Sequence, residues 1–224
     1  MHKKKDMEQT GSTINPGTVE LEVKQGFFIK RKLIIDRLGI TFGKKYVPYS
    51  DIESLRYGIT NVSVNGIPTS VNYTFDFLET NNKKFRVFFS AVALSKKSKS
   101  EATDDNSAIV TILWKYLTSK IVDKMIQDLN SNRTVKVGNF EVERSGIRVF
   151  YRKFIFLKRE TFLPWKDCLK GVGPGHFYIQ SASNKRIKAK SSFLTTWNLN
   201  AFYSLINYLW ENGNCFRLEK GEKI

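Results

Sequence analysis

Histidine, cysteine and clustered carboxylates build most catalytic and metal sites, and this chain is poor in all three. Its 224 residues include two histidines, His2 and His176, and two cysteines, Cys168 and Cys215. A histidine-based triad is not expected from that stock, with His2 in the terminus, and a multi-histidine metal site cannot be built from it. His176 closes the run Gly171-Val172-Gly173-Pro174-Gly175-His176, whose glycines read as a tight turn. No Gly-Lys-Ser/Thr ending follows, which excludes a P-loop. The two cysteines are too far apart for a clustered metal motif and too few for a disulfide framework. The expectation is no catalytic residue, no metal and no cofactor, in a reducing, cytoplasmic setting.

Cations are what the chain has in excess. Lys and Arg number 37 against 21 Asp and Glu, a formal charge of +16. Residues 1–131 hold 20 basic and 14 acidic side chains, and residues 132–224 hold 17 and 7, so the second part is shorter and more basic. Between Arg144 and Lys190 only Glu160 and Asp167 oppose twelve cations. Strand alternation puts Arg186, Lys188 and Lys190 on one face and Ile187 and Ala189 on the other. The run Arg152-Lys153-Phe154-Ile155-Phe156-Leu157-Lys158-Arg159 brackets four apolar residues with four cations. As an ordinary strand, the favoured reading, it would bury alternate residues. As an exposed loop or hairpin tip it would set apolar side chains into an acyl boundary while the cations met anionic head groups. The candidate binding residues are Arg148, Arg152, Lys153, Phe154, Phe156, Lys158, Arg159, Lys185, Arg186, Lys188 and Lys190. A charge run of this kind is otherwise a solvated face.

The elements that must position these side chains are announced by an internal repeat. Arg37-Leu38-Gly39-Ile40 recurs as Arg144-Ser145-Gly146-Ile147, and Val47-Pro48-Tyr49-Ser50-Asp51-Ile52 as Leu163-Pro164-Trp165-Lys166-Asp167-Cys168. A hairpin follows in each copy: Phe75-Asp76-Phe77 with Asn82-Lys83-Lys84-Phe85-Arg86-Val87, and Phe177-Tyr178-Ile179 with Asn184-Lys185-Arg186-Ile187-Lys188-Ala189. Phe85, Val87, Phe89, Ile187 and Ala189 are the expected inward positions. Each copy then ends in an amphipathic helix. The first carries Ile109, Leu113, Leu117, Ile121, Val122, Met125, Ile126 and Leu129 after an Asp105-Asn106-Ser107 capping cluster. The second carries Trp197, Leu199, Phe202, Leu205, Ile206 and Leu209, stopped by Asn212-Gly213. Polar residues 95–106 read as a mobile surface loop. Cys168 aligns with Ile52, which marks it as an inward core position.

Strands first and helix last, twice over, describes a bent antiparallel sheet whose open end is plugged by a helix. The fold class is α+β, mostly β. The blocks quoted above, above all Val47 to Leu55, resemble tandem pleckstrin-homology-like domains, the split-barrel superfold that includes bacterial pleckstrin-homology and GRAM-type modules. That resemblance implies two tandem split barrels, each capped by one C-terminal helix, over residues 15–132 and 133–213. They are flanked by a disordered basic stretch 1–14 and a C-terminal tail 214–224. It implies a binding or scaffolding module, since the superfold hosts many ligands. The family's lipid-binding pattern, a Lys followed across the first hairpin by paired basic residues, is loosely matched by Lys24 with Lys30, Arg31 and Lys32, a secondary candidate site.

With 41% hydrophobic residues the chain can bury a core, which excludes a fully disordered basic tail. The polar start lacks the apolar core of a secretory signal, and His2 stands where myristoylation needs glycine. The most apolar window, Ala108 to Trp114, falls far short of a span. The leading expectation is a non-enzymatic adaptor that binds an acidic protein or an anionic membrane surface, peripheral at the inner face. Nucleic acid is the alternative, with Tyr151 or Tyr178 as stacking aromatics. Self-assembly through sheet edges, giving a homo-oligomer, is the third. A flat basic patch beside exposed Phe154 and Phe156 would favour membrane, and a basic groove nucleic acid.

Overall fold

A computed structural model describes residues 13–15, 18–25, 29–92, 95–154 and 157–224. It is mostly β, with 47% of residues in strands and 31% in helices, and its four antiparallel sheets are all open. The first sheet runs in chain order through β1 (Thr13–Asn15), β2 (Thr18–Gln25), β3 (Ile29–Ile35), β4 (Gly39–Phe42) and β5 (Lys45–Pro48). A 3-10 turn at Tyr49–Asp51 leads into β6 (Ile52–Val64), β7 (Ile67–Glu79) and β8 (Lys84–Val92), which form a three-stranded sheet. Helices α1 (Lys96–Leu113) and α2 (Ser119–Asn130) follow, joined through a π-helical turn at Trp114–Thr118. The second series repeats the plan. Strands β9 (Val135–Val137), β10 (Phe140–Glu143), β11 (Gly146–Phe154) and β12 (Leu157–Pro164) make one sheet. A 3-10 turn at Trp165–Asp167 leads to β13 (Cys168–Gly173), β14 (His176–Ser181) and β15 (Lys188–Ser192), then α3 (Leu199–Glu211) and α4 (Asn214–Glu219).

The repeated blocks occupy equivalent places. Gly39 pairs with Pro48 and Ile40 with Val47, and in the second series Gly146 pairs with Pro164 and Ile147 with Leu163. A Cβ on Gly39 or Gly146 would run into the carbonyl oxygen of Val47 or Leu163, so both positions need glycine for backbone approach. The aromatic of each Pro-aromatic pair, Tyr49 or Trp165, is buried in the 3-10 turn, and Ile52 and Cys168 are buried just after it. Phe85, Val87, Phe89 and Ala189 are buried as their alternation requires, and Ile187 is partly buried against the core.

By its contacts the chain divides into two compact units. The first is Met1–Asp51, Thr60–Tyr73 and Val87–Tyr116, and the second is Ile52–Ile59, Thr74–Arg86 and Leu117–Ile224. The division therefore differs from a border at residue 132. In the first unit, Val19, Leu33, Ile35, Ile40, Phe42 and Val47 are buried, as are Ala102, Ile109, Ile112 and Leu113 of α1. Residues 95–106 correct the expectation of a loop. Ser95 is the N-cap, its hydroxyl accepting from the Ser98 N–H at 3.2 Å, and α1 starts directly after it. Along α1 the hydroxyls of Thr103, Ser107 and Thr111 donate to carbonyls four residues back, which satisfies these polar side chains within the helix.

In the second unit the four-stranded sheet, the three-stranded sheet and α3 meet at three rings. Phe140 of β10 lies 5.4 Å from Phe177 of β14 and 5.5 Å from Phe202 of α3, with Phe177 and Phe202 at 6.1 Å. Leu199, Leu205, Ile206 and Leu209 fill the same core, together with Val122, Met125 and Leu129 of α2. The apolar stripe expected to serve the first copy alone is thus divided, its α2 half packing in the second unit. Residues 214–224 are likewise no loose tail. Cys215 and Leu218 of α4 are buried, Arg144 donates to the carbonyls of Leu218 and Glu222, and the Ile224 N–H donates to Asn130 Oδ1.

An ion cluster also belongs to this unit. Asp76, almost fully buried, accepts from Arg86 Nε at 2.6 Å and Arg56 Nε at 3.0 Å, and Arg56 lies 4.3 Å over the Trp197 ring. Burial alone would raise the Asp76 pKa, but the hydrogen bonds from Arg86 and Arg56 outweigh it and hold the carboxyl below its usual range. A depressed carboxylate pKa stabilises the fold above the unfolded-state value, and that contribution is lost as pH falls through the folded-state value. Acid titration of wild type, followed by circular dichroism, is expected to show this loss, and Asp76→Asn to flatten that limb. Phe202→Ala should cost about 3–5 kcal/mol in urea melts, since the ring leaves a cavity between three layers.

Candidate functional site: a basic groove in the second unit

The outward faces of the second unit's strands converge on a concave groove of about 960 Å³. Each wall follows from local sequence. Val135-Lys136-Val137 alternates in β9, burying both valines and turning Lys136 outward. Gly138 adopts φ of 57° at the β9–β10 turn, where a Cβ would stand 2.6 Å from Ser191 Oγ, so only glycine lets this turn approach β15. Asn139 then ties three strands together. Its N–H donates to Ser191 Oγ (3.1 Å), its Nδ2 to the Lys190 carbonyl (2.7 Å), and its own carbonyl accepts from the Phe150 N–H (3.0 Å). Phe150, Tyr151 and Arg152 of β11, Lys158, Arg159 and Glu160 of β12, and Lys188, Ala189 and Lys190 of β15 complete the lining.

Six cations, Lys136, Arg152, Lys158, Arg159, Lys188 and Lys190, thus share one concavity with a single carboxylate, Glu160. The β11–β12 register sets two of them directly opposite one another, Arg152 and Lys158, and places Arg159 opposite Tyr151. Like charges across strands repel, so the groove carries a positive potential that an anion relieves. Lys136 is only partly matched, by Glu141 at 3.7 Å, and its ammonium also lies 5.0 Å from the Phe150 ring.

The structure brings together five of the cations expected from sequence, Arg152, Lys158, Arg159, Lys188 and Lys190. It adds Lys136, whose signal was the Val-Lys-Val alternation ahead of a Gly-Asn turn. Arg148 lies elsewhere, with its guanidinium 3.0 Å from Glu143 and 3.7 Å from Glu160. Lys185 and Arg186 are exposed in the turn before β15 and do not line the groove, so Arg186 is not part of a strand stripe with Lys188 and Lys190. The 152–159 run is not one strand, which corrects the favoured reading. Residues 152–154 close β11 and residues 157–159 open β12, antiparallel to it, with Phe154 paired with Leu157 beyond a register shift. Phe156 lies outside the described residues, as do the side chains of Lys153 and Phe154. Leu157, at 42% exposure, is the apolar side chain of that end on view.

The secondary candidates sit in the first unit. Lys24 pairs with Lys30 across β2 and β3, and their side chains lie outside the described set. Lys32 bonds Glu20 at 2.7 Å, and Arg31 stacks over Phe42 with its guanidinium 5.6 Å from the ring centre.

Groups that could react chemically stand apart from the groove. His176 is partly buried at the β13–β14 turn, with Nδ1 2.8 Å from the Pro174 carbonyl. Burial pushes the Cys168 thiol up to about 12, with smaller contributions from Asp167 and Cys215, and burial raises Cys215 as well. Asp167 is held below the usual carboxylate range by hydrogen bonds from the Ser181 hydroxyl and the Ser183 N–H, and so braces the β14–β15 turn. Among the described residues no cluster of three His, Cys, Asp or Glu could hold a metal.

Both thiols should resist a thiol reagent such as dithionitrobenzoate in the native protein near pH 8 and react on unfolding, read by the colour of the released thionitrobenzoate, since the thiolate is the reacting form. Gly138→Ala should destabilise the second unit by about 1–3 kcal/mol through strain at positive φ and the clash with Ser191, measured by chemical denaturation. No protein-family model matches the chain, and searches of curated proteins and of solved structures return no match.

Proposed function

We propose that the chain is a non-enzymatic binding module whose second unit docks on an anionic membrane surface through the basic groove. The observation that carries this reading is the exposed apolar Leu157 at the hairpin end, beside cations that converge, six in all, on one concavity whose lining has a single acid. The order of elements in each series, an antiparallel sheet of five strands in the first and four in the second, then a 3-10 corner, a three-stranded sheet and helices, supports the reading of both as pleckstrin-homology-like split barrels. Leu157 supports a membrane in preference to an acidic protein. It is an exposed apolar side chain at the hairpin end, followed directly by Lys158 and Arg159 and close to Arg152, the combination that seats an apolar residue below a layer of anionic head groups. Among the described residues no helix is long and apolar enough to cross a membrane, so attachment on this reading is peripheral.

The concavity gives nucleic acid a second reading, since a groove can track a phosphate backbone. The ring faces argue against base stacking. The Lys188 ammonium sits 3.7 Å over the Tyr178 ring, which also packs close against Gly171. Tyr151 is partly buried, with its hydroxyl 3.3 Å from that of Thr161.

Vesicle co-sedimentation tests the proposal. Retention is expected on phosphatidylcholine vesicles containing phosphatidylserine, not on phosphatidylcholine alone, and should weaken as salt rises. The triple variant Arg152→Ala, Lys158→Ala, Lys190→Ala should bind about 100-fold more weakly, at roughly a factor of five per cation. Equally poor retention on both vesicle types would refute membrane docking, and salt-dependent capture of random oligonucleotides would put nucleic acid in its place.

A further inference from the structure

The hairpin of β6 and β7 contains an 18-residue stretch, Gly58 to Phe75, without one charged side chain, in a chain that is 26% charged. Its outer part is exposed on almost every residue from Thr60 to Thr69, including Val64 at 58% and Ile67 at 59%. The turn at Asn65-Gly66, both at positive φ, is the tight type that keeps the two strands in register, and Thr69 donates its hydroxyl to the Val62 carbonyl across them. The arm is therefore a built hairpin in the first unit.

Strand β6 is an edge of its sheet, and backbone groups of a strand point to alternate sides. Near its start the outward N–H groups are those of Leu55 and Tyr57, which donate to Asn198 Oδ1 and Asn200 Oδ1. The Val62 carbonyl faces β7, as its bond from Thr69 shows. Alternation therefore turns the N–H and carbonyl groups of Asn61 and Ser63 to the open edge. Natural edge strands are usually guarded by lysine, proline or an inward charge. β7 has Pro68 near the tip, whereas Thr60 to Val64 of β6 has neither charge nor proline.

We propose that this edge pairs with the same edge of a second copy of the chain, antiparallel about a two-fold axis at Val62. Asn61 then lies opposite Ser63 of the second copy, and each such pair exchanges two backbone hydrogen bonds, while the two Val62 side chains meet on the axis. Charge selects this occupant. Two copies of a chain with net charge +16 repel over most of their surfaces, and an uncharged arm is where they can approach. An acidic partner finds no cation on the arm. A bilayer interior would strand the open backbone groups of Asn61 and Ser63 without partners.

Sedimentation equilibrium of the full chain at about 100 µM, a concentration suited to a small interface, tests this. Wild type is expected to approach twice the 25.9 kDa chain mass. Asn61→Lys with Ser63→Lys sets lysine opposite lysine in both pairs and should raise the dissociation constant at least about 10-fold. Asn61→Lys with Ser63→Glu sets lysine opposite glutamate and should stay within about 3-fold of wild type. A monomeric wild type would overturn the proposal. So would two variants that both associate as wild type does, or that both dissociate alike.

Discussion

Three phenylalanine rings, Phe140, Phe177 and Phe202, bring one side chain from each layer of the second unit to a common point. Their contacts set the separation between the four-stranded sheet, the three-stranded sheet and α3. Because inward and outward residues alternate along a strand, whatever places the inward ring also places the outward neighbours. Phe140 follows the Gly138-Asn139 turn directly, and Ala189, buried in the same core, is flanked by Lys188 and Lys190. The groove is the outer consequence of that inner packing, and the Asn139 hydrogen bonds to β15 hold its wall against the spread that six like charges would otherwise favour.

Charge has two different fates in this molecule. Arg148, Lys32 and Arg217 each meet a carboxylate within the chain, at 3.0, 2.7 and 3.0 Å, and the two exposed pairs, those of Lys32 and Arg217, add little stability. Arg56 and Arg86 close on buried Asp76 and serve the fold. The groove cations are arranged otherwise, gathered on one concave surface with Arg152 directly opposite Lys158. A fold does not need that arrangement, and it makes the groove a place where an external anion lowers the free energy. The arm of β6 and β7 is the complementary case, a stretch from which charge is absent altogether, and the two surfaces therefore suit different partners.

Much of the fold was legible from local signals. The repeat matched Gly39 with Gly146 and one Pro-aromatic block with the other, and each matched pair occupies equivalent places in the two series. Alternation identified Phe85, Val87, Phe89 and Ala189 as inward. The errors came where a local signal had a non-local answer. Residues 95–106 look like a loop because their side chains are polar, yet hydroxyls that fold back on the helix backbone make polarity compatible with α1. Residues 214–219 look like a tail because they follow a glycine stop, but Cys215 and Leu218 find a core to enter. The two-part stripe from Ile109 to Leu129 is one pattern in sequence and two packing faces in space, separated by a π-helical turn.

The repeat, the mostly β composition, the scarcity of reactive side chains and the concentration of cations between Arg144 and Lys190 can all be read along the chain. These are properties of residue type and spacing along the chain. Which of those cations share a surface is set by packing across the fold. Arg148 and Lys188 are equally basic on paper, but Arg148 meets Glu143 and Glu160 while Lys188 lines the groove beside Arg152, Lys158 and the unforeseen Lys136. Which charges add and which cancel depends on distances between strands far apart in the chain, and packing sets those distances.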